Sequence, residues 1–298
     1  MAPGHNEYVP GYKPPQVQNH EWRTAENSAA HLLPTLESKR VSDPKLSLLD
    51  VGTGSGTIAQ SLATLIPEGT VIATDLSETI LERARELAAG TAAKNLTFQR
   101  ASAYELPFAD NSFDVVHTSQ MLCHMDAPVD ALREMLRVTK PGGVVSAREA
   151  DLSTSCYWPD VGGLRDFHRV WLEIHEASGG SITAGRQLVS WAMKAGAKRE
   201  QIKASFGTWC YSDLEDRRMW GTFKGLRMLV HIVTGLTKCT TADTMISRIE
   251  NGGIRTKAIS LGLASGGNLA KMADAWREWA DYDNGTLGLL HGEVLIFK

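Results

Sequence analysis

The types and spacing of Asp50, Gly52, Gly54, Gly56 and Asp75 imply chemistry most directly in this sequence. The run Asp50-Val51-Gly52-Thr53-Gly54-Ser55-Gly56 closes an apolar stretch with a carboxylate, then places glycines at alternate positions. Glycine lets a backbone turn tightly and approach a ligand closely. Asp75 ends the next apolar stretch, TVIATD. It stands close to the ~20-residue spacing at which an acid reaches ribose hydroxyls. An ionised carboxylate accepts several hydrogen bonds, which suits a diol. The plainer alternative is a tight strand-to-helix turn with nothing bound, where Asp50 and Asp75 only cap the turn or helix after them. A dinucleotide site would want G-x-G-x-x-G, and here the third glycine comes one residue early.

Other candidates are single residues. His124 is a candidate general base, although a lone histidine is more often packed or solvated. His117 falls inside an apolar run and reads as core or as a residue supporting the site from behind. The stretch GLRDFHRVWLEIHEASGG puts Leu164, Phe167, His168, Trp171, Ile174 and His175 on one side at helical spacing. That side either packs on a sheet or forms a lid that brings His168 and Trp171 to a substrate. Tryptophans at 158, 171, 191, 209 and 220 either line an aromatic pocket or fill a core.

The elements that must position these residues alternate regularly. A helix is expected from about Trp22 to Glu37, a strand at Lys45–Val51, a helix at Thr57–Leu65 and a strand at Thr70–Asp75. Ser77 caps a helix reaching about Lys94. Strands come next at Leu96–Ala101 and Phe113–Thr118, then a helix at Pro128–Val138 stopped by Pro141-Gly142-Gly143, and a strand from Val144. Such alternation implies parallel strands with right-handed crossovers, and ligands bind at their carboxyl ends. Further helices are expected at Leu164–Ser178 and Ala184–Ala195, a sixth strand at Gln201–Tyr211 and a last one at His291–Phe297. Residues 213–282 read as mostly helical, with a glycine-rich break at Asn251–Gly267. The expected organisation is an N-terminal arm and helix (1–41), an α/β core (42–150), and helical insertions with the last two strands (151–298).

With 43% hydrophobic and 22% charged residues, the chain can bury a sizeable core. The net charge of -3 and the lack of a basic stripe argue against a nucleic-acid partner. No stretch is long and apolar enough to span a bilayer, and the N-terminus lacks the pattern of a signal peptide. Cys123, Cys156, Cys210 and Cys239 show neither CxxC nor metal-ligand spacing, so no metal is expected, and a reducing, cytoplasmic location is.

Four segments carry a family resemblance in the right order: LLDVGTGSGTIA, ATDLS, ELPFADNSFDVV and EMLRVTKPGG. Residues 46–150 resemble class I S-adenosylmethionine-dependent methyltransferases, in particular the branch with the ubiquinone/menaquinone-biosynthesis C-methyltransferases and many small-molecule methyltransferases. The resemblance implies a Rossmann-like, doubly wound α/β sheet of seven strands, the last antiparallel. It implies S-adenosylmethionine on Gly52, Thr53, Gly54 and Gly56, with its ammonium facing Asp50 and its ribose on Asp75. Leu76 would pack on adenine, Ala103 would donate its N–H to the ring, and Ser102 stands where the family often has an aspartate. Arg23 would approach the cofactor carboxylate. Gln120 lies just after the fourth strand near the acceptor, with His124 on the same side if a helical turn comes next. The expected function is methyl transfer to a small aromatic or apolar metabolite, at an O, N, S or C atom that the sequence leaves open, as it does the oligomeric state. A cyclase-like enzyme or a cofactor-binding regulatory protein on the same fold are the alternatives. The acceptor would be closed over by the arm (Tyr8, Tyr12, His20), by His168 and Trp171, and by the segment around Trp220 and Arg227.

Because Ser102 replaces a stronger acceptor, Ser102→Asp should keep or tighten cofactor binding, measured calorimetrically with S-adenosylhomocysteine. A large loss in a folded variant would show that Ser102 does not face the adenine.

Overall fold

The computed structural model of the chain describes residues 20–213 and 241–298. Tyr8, Tyr12, Trp220 and Arg227, expected over the acceptor, lie outside the described residues.

The parallel part of the sheet forms as its apolar runs predict. β1 (Ser47–Val51), β2 (Thr70–Asp75), β3 (Leu96–Arg100), β4 (Phe113–Ser119) and β5 (Thr139–Ala150) lie in the order β3-β2-β1-β4-β5, all parallel. The order reverses between β1 and β4, which opens a crevice at their carboxyl ends. β8 (Thr286–Phe297) runs antiparallel to β5, and β7 (Ile202–Tyr211) lies antiparallel along its other edge. The expected seven strands are therefore present, and the sheet has one more. β6 (Cys156–Trp158) pairs with Thr286–Gly288, on the edge of β8 that β5 uses further along. β8 begins at Thr286 rather than His291 because its first half, buried at alternate residues, is needed to pair β7 and β6.

Several helix boundaries depart from the periodicity. The helix expected over Trp22–Glu37 is two, α1 (Ala25–Ser28) and α2 (Leu33–Ser42). Pro34 sits in the first turn of α2, where its missing N–H costs nothing; inside a continuous helix it would remove a bond. α3 spans Thr57–Leu65 as expected, while α4 (Glu78–Ala88) stops just before Gly90. α5 (Pro128–Val138), α6 (Gly162–Ala177) and α7 (Ala184–Lys194) come next. In the C-terminal part α8 (Thr241–Asn251), α9 (Gly253–Ser260) and α10 (Gly266–Asp281) are described. The expected break at Asn251–Gly267 is thus a short helix between two glycine boundaries.

The core has three bodies. Leu32 and Leu36 pack with Ile58 and Leu62 of α3 on one face of the sheet. Leu132 and Met135 of α5 pack with Leu188 and Trp191 of α7 on the other. Phe167, Trp276 and Trp279 form a third body from α6 and α10 against the start of β8. Among the described residues no helix is long and apolar enough to cross a membrane.

α7 lies so close to β8 that a Cβ on Gly292 would fall on the Gly185 carbonyl oxygen. Gly292→Ala must push the helix off the strand. It should lower stability by about 1–3 kcal/mol, the usual cost of overpacking, read as a fall in the thermal midpoint. An unchanged midpoint would mean that α7 is not seated as described.

Candidate active site

A cavity opens where the strand order reverses. Its volume is about 210 Å³, far above the roughly 10–15 Å³ that one water needs. One wall is the turn after β1. The N–H groups of Gly52 and Thr53 both donate to the Thr74 carbonyl at 2.8 Å, which folds the turn back onto β2. Gly52, Gly54 and Gly56 all have positive φ, at 72°, 56° and 74°. A side chain is excluded at Gly52 for a second reason: its Cβ would lie 2.5 Å from Met121 Sδ. At Gly54 a Cβ would meet nothing within 4 Å, so the turn faces open space.

Asp75 joins this turn to the next helix. Its carboxylate accepts the Gly54 N–H at 3.0 Å and the Ser77 N–H at 3.0 Å. Ser77 is the N-cap of α4, yet its side chain makes no capping bond; the Asp75 carboxylate holds the N–H of Ser77 itself. Burial raises the pKa of Asp75 against these backbone bonds. Asp50 lies 3% exposed at the end of β1. Burial first, then the nearby Asp75 charge, push it up to about 7.

The opposite wall comes after β4. Gln120 adopts φ 55°, and the chain then makes a single 3-10 turn, Leu122–His124. That turn does bring His124 to the same side as Gln120, and both line the cavity with Met121 and Met125. Burial, then His175, Arg23 and Arg248, hold His124 down at about 3, so its imidazole is neutral at pH 7. Glu149, at the end of β5 and fully buried, accepts the N–H groups of Met121 (3.2 Å), Leu122 (3.0 Å) and Cys123 (3.1 Å).

The N-terminal segment closes one end. Glu21, 4% exposed, takes a bidentate pair from Arg83 of α4 at 2.9 and 3.1 Å, which seats His20 and Arg23 on the cavity. Arg23 Nη2 donates to Gln120 Oε1 at 3.1 Å, and its guanidinium stacks over Trp209 at 5.2 Å. Gln120 Nε2 donates to His291 Nε2 at 3.1 Å.

The cavity lining therefore gathers His20, Arg23, Asp50, Gly52, Thr53, Gly54, Asp75, Leu76, Ser102, Ala103, Gln120 and His124 from the sequence expectations. Gly56 does not line it but closes the turn from behind, since its Cβ would meet the Phe98 ring at 2.6 Å. His168 and Trp171 are not among the lining residues. The apolar side of α6 packs against the C-terminal helices, with Trp171 against that core and His168 beside the Tyr157 ring at 6.0 Å. From that helix His175 reaches the turn behind the lining instead, its Nε2 donating to the Cys123 carbonyl at 2.8 Å. The described tryptophans also stay outside the lining: Trp191 is core, Trp158 is exposed and Trp209 lies under Arg23.

The sequence reading missed Tyr104, Met121, Met125 and Glu149. The methionines flank His124 at i−3 and i+1 and were visible as apolar residues beside a polar candidate. Tyr104 lines the cavity, and its hydroxyl donates to Asp126 at 2.5 Å, tying the loop after β3 to the loop after β4. Glu149 gave no local signal, because its partners are backbone groups of a distant turn.

Comparison with known proteins agrees with this geometry. A family model described as a methyltransferase domain matches residues 49–147. An uncharacterized methyltransferase of Schizosaccharomyces pombe is 30% identical over 292 residues, 95% of this chain and 93% of that one. A ubiquinone/menaquinone biosynthesis C-methyltransferase of Ectopseudomonas mendocina is 41% identical over 103 residues, which are 34% of this chain and 40% of that protein. Among solved structures, Haemonchus contortus phosphoethanolamine N-methyltransferase 2, in complex with phosphomonomethylethanolamine and S-adenosylhomocysteine, aligns at TM-score 0.51 and 19% identity. The alignment covers 95% of this chain and 58% of that one, a likeness of fold. The chain belongs to the class I S-adenosylmethionine-dependent methyltransferases, and S-adenosylmethionine is its cofactor.

Proposed function

We propose that this methyltransferase acts on a small, flat, mostly apolar metabolite. The observation that carries the reading is the contrast between the cavity's two walls. Gly52–Gly56, Asp50 and Asp75 make one wall polar and acidic, while Tyr104, Met121, His124 and Met125 make the other apolar or uncharged at neutral pH. A concave cleft that sets an apolar wall opposite placed polar groups favours small acceptors over open or strongly charged macromolecular ones.

The wall of glycines suits the cofactor. Open space over Gly54 gives a nucleoside room, and the Asp75 carboxylate, already tied by two N–H groups, keeps lone pairs for ribose hydroxyls. Asp50 faces the ammonium, and Leu76 and Ala103 border the adenine, with Ser102 accepting from it. Gln120 and Arg23 hold the cofactor's aminoacyl end beside the acceptor, and His20 borders the acceptor itself. S-adenosylmethionine supplies an electrophilic methyl group on a sulfonium. The chain's own work is to hold the nucleophilic atom about 3 Å from that methyl, in line, and to keep water out. His124 is the residue placed to take a proton from the acceptor. An imidazole held at about 3 is a weak base, so acceptors that ionise readily, or need no deprotonation before attack, fit it best. His168 and Trp171 have no part in this reading.

The test is a mass-spectrometric screen of phenols, quinols, enols and thiols against peptides and oligonucleotides. The expected product is one CH2 heavier and comes from the small molecules; methylation of macromolecules alone would overturn the reading. Asp75→Ala should weaken S-adenosylhomocysteine binding in calorimetry, each lost charge-assisted hydrogen bond costing roughly 1.5–3 kcal/mol. Wild-type affinity in that variant would remove Asp75 from the ribose. Asp50 gives a pH signature. Its ionised form pairs with the ammonium, and free Asp50 sits at about 7. Binding must therefore expel its proton below that pH, so affinity should rise as pH climbs through about 7 and level off above. Asp50→Asn should flatten the curve, and a pH dependence that survives the substitution belongs to another group.

A further inference from the structure

We propose that Glu149 is a positioning residue for methyl transfer: its buried carboxylate holds the turn that presents Gln120, Met121, His124 and Met125 to the acceptor. The inference rests on the reading that this wall faces the acceptor, but its physical basis is independent of that reading.

The turn is a poor candidate for self-assembly. Gln120 is a non-glycine residue at φ 55°, a conformation that is strained for a side-chain-bearing residue and persists only where surroundings impose it. The 3-10 turn after it is three residues long and leaves the N–H groups of its first turn without partners inside the helix. Three consecutive N–H groups, those of Met121, Leu122 and Cys123, converge instead on one carboxylate, Glu149 Oε1 taking two and Oε2 the third. The short helix start is turned inward, and the chain itself supplies the carboxyl group that its N–H groups meet. The carboxylate has no other described side-chain partner of opposite charge, so its acceptor capacity goes to the turn.

Glu149 is itself fixed. It lies in β5 opposite Gly292 of β8, and its backbone carbonyl stands where a Cβ on Gly185 of α7 would fall, at 2.9 Å. The acceptor-side wall is thereby referenced to the rigid centre of the sheet. A second clamp acts from α6, where His175 Nε2 donates to the Cys123 carbonyl. Glu149 holds the turn's N–H groups and His175 holds one carbonyl. Met121, pinned in this way, rests against Gly52, so the carboxylate also sets the gap between the two walls. Misplacing a reacting group by about 1 Å costs on the order of 100-fold in rate, which makes a residue that touches neither ligand matter for turnover.

The experiment uses the full-length protein and the variants Glu149→Gln and Glu149→Asp. Glu149→Gln keeps the shape but turns an NH2 group toward N–H donors; Glu149→Asp keeps the charge on a shorter arm. Three readouts are taken. Amide hydrogen exchange at Met121–Cys123 should speed up about tenfold or more in Glu149→Gln relative to the β1–β5 strands. The His124 ring, followed by NMR, should lose its strongly depressed titration and move toward the ordinary histidine range as the turn loosens. With an acceptor from the screen, kcat should fall by about tenfold or more while the acceptor KM and the dissociation constant of S-adenosylhomocysteine stay within about threefold. Glu149→Asp should recover part of each. If Glu149→Gln melts too low to assay, Glu149→Asp carries the same three readouts. Unchanged exchange at Met121–Cys123 together with unchanged His124 titration in a folded variant overturns the proposal. A loss of cofactor affinity as large as the loss of kcat does so too, because the role would then be general stability. Failure of Asp75→Ala to weaken cofactor binding would sink the site reading while leaving the exchange result intact, so the two failures are distinguishable.

Discussion

Gly52 and Met121 touch across the gap between β1 and β4, and no side chain fits between them. The two residues belong to turns at the ends of neighbouring parallel strands, at the place where the sheet's winding reverses. Such a crevice exists in every doubly wound sheet. Here its width is set by a thioether resting on a residue that lacks a Cβ. The glycine-turn wall and the wall that carries Gln120 and His124 are thus held at one separation by packing, and packed interiors resist small displacements. The Glu149 contacts behind Met121 and the Asp75 contacts beside Gly52 fix the two ends of that separation.

Burial sets the charges in the cavity. It raises Asp50, Asp75 and Glu149 and lowers His20, His124 and His291, in each case disfavouring the ionised form. For Glu149, pushed up to about 7, burial outweighs three backbone N–H bonds that favour the carboxylate. Before ligand binding the carboxyl and imidazole groups in and behind the cavity are therefore biased toward their uncharged forms. A cationic cofactor brings the charge that ionised aspartates can answer, and a buried charge is tolerated when it is paired. Arg23 fits the same logic: its guanidinium lies over the Trp209 ring and is bonded to Gln120, so the cation is held in place from both sides.

The parts outside the parallel core do distinct work. The pair between buried Glu21 and half-exposed Arg83 fastens the N-terminal segment to α4, and this carries His20 and Arg23 onto the cavity. Breaking such a pair leaves an uncompensated buried charge, so its contribution is to place the segment uniquely. On the other side α6 packs its apolar face on α10, while its His175 bonds the turn that carries His124. β8 serves both halves, pairing β5 on one edge and β7 on the other, and its His291 reaches Gln120.

The sequence by itself determined the parallel core and the glycine turn with its flanking carboxylates. Both are local: apolar runs of strand length, glycines at positive φ, and carboxylates at strand ends appear in the sequence next to the backbone that they serve. The same locality placed Gln120 and His124 together, since a turn of three or four residues brings them to one side. Periodicity failed where several partners compete for one helix. α6 has one apolar side, and the sequence left open whether that side packs on the sheet or forms a lid over the site; it packs on the C-terminal helices, and with it go His168 and Trp171. Pro34 divided a helix that periodicity joined, because the first turn is the one place where a missing N–H does no harm. Only the tertiary structure identified Glu149. A carboxylate whose partners are three backbone N–H groups of a turn 26 to 28 residues away leaves no side-chain pattern to read. Its role exists only once β4 and β5 lie side by side.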